Sequence, residues 1–89
     1  MPYMNILTWD PAIRDEVMNR ARTKGLGHEG IRVLGTWADV QGGRCFQLSE
    51  EPADPKLSIK ANFAWNDLLK IESVPVMDAE ELLKLLASM

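Results

Sequence analysis

Hydrophobic and polar positions along the chain switch between two periods, and turn residues mark each switch. Tyr3 to Trp9 (YMNILTW) is rich in aromatic and branched side chains and predicts a strand. Asp10-Pro11 then offers a helix start, an acidic N-cap followed by a proline suited to the first helical position. Ile13, Val17 and Ala21 recur every four residues as one apolar helical stripe. Arg20, Arg22 and Lys24 complement the negative end of that helix, and Gly25 ends it. After a glycine-rich loop, Ile31 to Val40 predicts a second strand, Gln41-Gly42-Gly43 a hairpin turn, and Arg44 to Glu50 its antiparallel partner. Asp54-Pro55 repeats the cap-plus-proline start and opens a helix to about Asn66. Leu69 to Met77 predicts a fourth strand. Asp78 caps a terminal helix, where Glu81 would complete a capping box and Leu82, Leu83, Leu85 and Leu86 are expected to anchor it to the body.

The predicted order is β-α-β-β-α-β plus a C-terminal helix, an α+β chain of the split β-α-β, ferredoxin-like kind. Such a fold places both helices on one face of a four-stranded antiparallel sheet, usually in the order 4-1-3-2. Pro75, which has no ladder donor, independently favours an edge position for the fourth strand. Phe46 and Leu48, with Met4 and Ile6, are expected to point to the helices. That sends Cys45, Gln47 and Ser49, with Tyr3, Asn5, Leu7 and Trp9, to the open side, a half-apolar surface suited to protein contact. On the second helix, Leu57, Ala61, Ala64, Trp65 and Leu68 share one stripe, whereas Ile59 and Phe63 lie away from it and need other cover. A chain this short buries roughly two-thirds of its unfolded surface, so a homodimer is expected.

Composition narrows the class. The 89 residues suffice for a single domain, 1–89, and 46% hydrophobic with 26% charged residues is an ordinary globular balance. Apolar runs are too short for a membrane span, and the N-terminus lacks the pattern of a secretory signal. Net charge is −3, and Arg14, Arg20, Arg22 and Lys24 are interspersed with Asp15 and Glu16. A nucleic-acid partner is therefore not expected. One cysteine, Cys45, excludes an internal disulfide and fits a reducing, cytoplasmic setting.

Candidate chemistry is sparse. His28 is the sole histidine, so no multi-histidine metal site can form within one chain, and no cofactor is expected. In its glycine-flanked loop it reads as a general base, a lid residue or simply an exposed side chain. Cys45 reads as a thiol activated by Arg44 or as a buried, inert one; adjacent strand residues face opposite sides, which favours the latter. No GxSxG context supports a triad of Ser49, His28 and an aspartate. Gly25, Gly27 and Gly30 spell GxGxxG, but a helix precedes them and a strand follows, the reverse of a dinucleotide fingerprint. Glu50-Glu51 and Glu80-Glu81 read as solvated ends. Trp9, Trp37 and Trp65 read either as core or as the walls of an aromatic pocket in which Asn5 or Gln47 orients a planar ligand.

The segments Ile6-Leu7-Thr8-Trp9, Gly35-Thr36-Trp37, Trp65-Asn66-Asp67-Leu68-Leu69 and Pro75-Val76-Met77-Asp78 resemble a domain-of-unknown-function family of about 90 residues. The resemblance spans nearly the whole chain, and the WNDLL…PVMD pairing is its most specific part. It implies similarity to dimeric α+β barrel proteins, in which two ferredoxin-like sheets face each other, and it assigns no catalytic residue. The expected function is binding of a small apolar or aromatic ligand by a homodimer, with Asn5, Trp9, His28, Trp37, Gln47 and Trp65 as candidate contacts. The alternatives are a cofactor-independent oxygenase or isomerase and a purely structural or interaction domain.

Overall fold

The computed structural model describes all 89 residues, Met1–Met89. Strand β1 (Pro2–Thr8) leads through a short 3-10 turn (Pro11–Ile13) into helix α1 (Arg14–Lys24). Strands β2 (Val33–Ala38) and β3 (Arg44–Glu50) form a hairpin, helix α2 (Pro55–Phe63) follows, and strand β4 (Lys70–Pro75) precedes helix α3 (Ala79–Ala87).

Asp10 and Asp54 accept hydrogen bonds from the backbone N–H of Ala12 and Lys56 at 2.8 and 3.0 Å, so each cap-plus-proline pair starts a helical segment. Asp78 does the same for Glu80 and Glu81, although no bond from the Glu81 carboxylate returns to complete a capping box. Three elements are shorter than their patterns, among them β4, which spans Lys70–Pro75 where Leu69–Met77 is expected. β2 ends at Ala38 because the Asp39 carboxylate turns the chain, accepting from Gln41 N at 2.9 Å. α2 ends at Phe63 because Trp65 N bonds back to Asn62 O and Leu68 N to Trp65 O, a tightening into i→i+3 turns.

The four strands form one sheet in the order β2-β3-β1-β4, which from the other edge runs 4-1-3-2, and every neighbouring pair is antiparallel. β4, with Pro75, is an edge strand. The register aligns Asn5 with Gln47 on one side and Ser73 on the other, and Ile6 with Phe46 and Glu72.

This register corrects the expected sheet faces. Tyr3, Asn5, Gln47 and Ser49 share a cleft with Ser58, Ala61 and Trp65 of α2 and its C-terminal turn, so they point toward the helices. The opposite set is Met4, Ile6, Phe46 and Leu48, joined through the strand pairing by Val74 and Trp37 and by the charged Glu72 and Arg44. The more apolar set thus lies on the side away from α2. The polar set tolerates the helix layer because Asn5 bonds to Ser49 and to Ser73 of β4, and Gln47 bonds to Leu26 O and Thr36 Oγ1.

A second correction concerns α3. Leu82, Leu83, Leu85 and Leu86 are 43–66% exposed, so they do not anchor the helix to the body. Ile59 and Phe63 of α2 are likewise uncovered, at 55% and 72%. Only Val17, Cys45, Leu69 and Ser49 are buried. The molecule is extended, with a radius of gyration of 14.8 Å, where a compact chain of this length has about 12 Å.

Candidate functional site

A cleft of about 360 Å³ lies between the sheet, α2 and the 25–31 loop. Its floor carries a hydrogen-bonded chain across β4, β1 and β3. Ser73 Oγ donates to Asn5 Oδ1 at 2.7 Å, and Asn5 Nδ2 donates to Ser49 Oγ at 2.8 Å. Ser49 is 94% buried, and its own O–H remains free to donate after its oxygen has accepted from Asn5. Gln47 extends the polar floor toward β2. Its Nε2 donates to Leu26 O at 2.9 Å and to Thr36 Oγ1 at 3.4 Å, which ties the loop to the sheet.

The walls are mixed. Leu7, Leu69 and Ile71 supply apolar surface from the sheet side, while Pro55, Ala61 and Trp65 supply it from α2 and its turn. Gly30, with φ of +82°, lets the loop approach Leu57 so closely that a Cβ there would lie 2.8 Å from Leu57 Cδ1. Glu50 and Glu51 are exposed at the rim, and no lysine or arginine lines the cleft.

The six sequence candidates divide. Asn5, Gln47, Trp65 and His28 line this one cleft. His28 Nδ1 lies 3.0 Å from Glu29 O, and its carbonyl accepts from Ile31 N, closing the loop. Trp37 belongs to the other face of the sheet, 54% exposed, with its ring folded over Gly35. Trp9 does not line the cleft either; its indole N–H is buried and has no acceptor. The three tryptophans therefore share no pocket. Ser49 and Ser73 complete the polar floor and were not among the candidates; their positions opposite Tyr3 and Asn5 in the strand pairing are the signal that finds them.

Trp65 is held from behind. The Arg20 guanidinium stacks 5.5 Å from its ring centre and donates to Asp67 Oδ1 and Oδ2 at 2.6 and 2.8 Å and to Ala64 O at 3.2 Å. That pairing lowers the Asp67 carboxyl below its ordinary range. The Trp65-Asn66-Asp67-Leu68-Leu69 segment thus places a cleft wall, an ion-pair partner and the buried Leu69 in one turn.

Cys45 is buried on the same side of the sheet as Gln47 but does not line the cleft. Burial pushes its thiol up, and Arg44 points to the other face, over the Phe46 ring. The thiol is thus a poor nucleophile at neutral pH. No three His, Cys, Asp or Glu side chains converge as metal ligands, and no helix is long and apolar enough to cross a membrane.

Residues 1–89 match the model of a family described as a domain of unknown function (DUF3303). No curated protein and no solved structure matches the chain.

Proposed function

The chain belongs to the DUF3303 family of domains of unknown function, and from that premise we propose that its cleft binds a small neutral molecule carrying a hydrogen-bond acceptor beside an apolar or aromatic body. The buried Ser49 hydroxyl carries this reading. A sheet side packed under helices is ordinarily apolar, yet here a three-residue polar chain ends in a free donor at the floor of a cleft. Trp65 and Tyr3 suit an aromatic body. The exposed glutamates at the rim, without any lysine or arginine in the lining, disfavour an anion.

The test is a thermal-shift and calorimetric comparison of coumarin and benzamide with benzoate. The neutral probes are expected to raise the melting temperature of the wild-type protein and benzoate is not. Ser49→Ala, once its circular dichroism is shown to match wild type, is expected to lose the shift. No response to either neutral probe, or an undiminished response in Ser49→Ala, overturns the reading.

Catalysis on such a ligand is the second reading, favoured by the placement of His28 in the same cleft; turnover abolished by His28→Ala while binding persists is what would establish it. The strand order supports assignment to the ferredoxin-like class, and an apolar sheet side facing away from α2 supports pairing into a dimeric barrel. A lone buried cysteine supports a reducing, cytoplasmic setting.

A further inference from the structure

We propose that α3 is an exchanged arm, its leucine face packing on a second copy of this chain alongside the exposed apolar side of the sheet. The inference stands apart from the cleft. A folded monomer of 10.0 kDa exposes about 5,200 Å². This chain exposes 6694 Å², an excess of about 1,500 Å² over that expectation. Burying such an excess on each of two copies gives about 3,000 Å² in all, within the range of obligate homodimers.

Part of the exposed surface is apolar side chain on α3 and on one side of the sheet. On α3, Leu82, Leu83 and Leu86 gather on one side of the helix, while Glu80, Glu81 and Lys84 occupy the other. None of these leucines is buried within its own chain. On the sheet, Trp37 and Val74 stand exposed beside Ile6 and Phe46, with Glu72 opposite Ile6 and the Arg44 guanidinium over the Phe46 ring on the same side. A lipid surface is the wrong occupant for α3, because membrane-surface helices carry lysine and arginine on the polar side, and here one lysine faces two glutamates. A second copy supplies an apolar counterpart in its own α3 leucines and in Trp37 and Val74, and two-fold symmetry buries both arms at once.

The experiment is sedimentation equilibrium on the full chain between about 1 and 100 μM, with Leu82→Glu/Leu86→Glu as the variant. The wild-type chain is expected to sediment at twice 10.0 kDa. The double variant is expected to sediment as a monomer with native-like circular dichroism. If it does not fold, Leu82→Ala/Leu86→Ala replaces it, with an expected weakening of the dimer of at least about ten-fold. A monomeric wild type overturns the proposal, including one that binds phosphatidylcholine vesicles. So does a folded variant of either kind whose dimer is as tight as wild type.

Discussion

Arg20 and Asp67 meet through two parallel hydrogen bonds, 2.6 and 2.8 Å long, that fasten α1 to the turn leading into β4. Because the pair forms only in the folded chain, it makes stability depend on acid. The Asp67 carboxyl is lowered in the folded state by its bond to Arg20. Its contribution is therefore complete above the ordinary aspartate value of about 4 and is lost as pH falls through the depressed one. Melting temperature should fall more steeply on acidification in the wild type than in Asp67→Asn, and melts from pH 7 down to about pH 2.5 check this. Superimposable acid limbs would mean that the pair does not couple to folding.

Ser49→Ala should destabilise the fold by about 1–3 kcal/mol, since it leaves the half-buried Asn5 amide without its acceptor. Ser73→Ala, at an exposed residue, should cost less. Urea denaturation of the two variants measures the difference. Equal losses would show that burial does not set the strength of this chain.

Gly30→Ala should cost about 1–2 kcal/mol, because φ of +82° disfavours a side chain and Leu57 must move aside. Gly27→Ala is the control, with open space around the added Cβ and no positive φ, and should stay within about 0.5 kcal/mol of wild type. Denaturant midpoints for both decide whether the loop backbone is conformationally restricted at Gly30.

Cys45 should react with a disulfide reagent at pH 7.5 at least about ten-fold more slowly in the native protein than in denaturant, since burial both hides the thiol and disfavours its thiolate. Comparable rates would indicate frequent opening of β3.

The punctuation of the chain was legible from sequence: three Asp caps begin helical segments where expected, and β3 runs from Arg44 to Glu50 as its alternation predicts. Alternation also sorted residues correctly into two sets, yet it cannot say which set meets the helices. Apolarity pointed to Phe46 and Leu48, whereas the helices lie over Asn5, Gln47 and Ser49. Such polar residues become acceptable in that layer only when the register joins Ser73, Asn5 and Ser49, positions far apart in sequence. The candidate site was legible in part for the same reason. Asn5, Gln47, His28 and Trp65 meet, while Trp37 is separated from them by the thickness of the sheet. The amphipathic pattern of α3 announced a need for cover, and nothing in it says that the cover is not the chain's own body.

The placement of Trp37 over Gly35 on one side of the sheet and of Trp65 beside Arg20 on the other has a practical consequence. Each surface of the same sheet carries its own intrinsic fluorophore. With Trp9 and one of these two replaced by phenylalanine, emission from the remaining indole reports on a single surface. Wavelength shifts then separate an event in the cleft from one on the opposite side without an added dye.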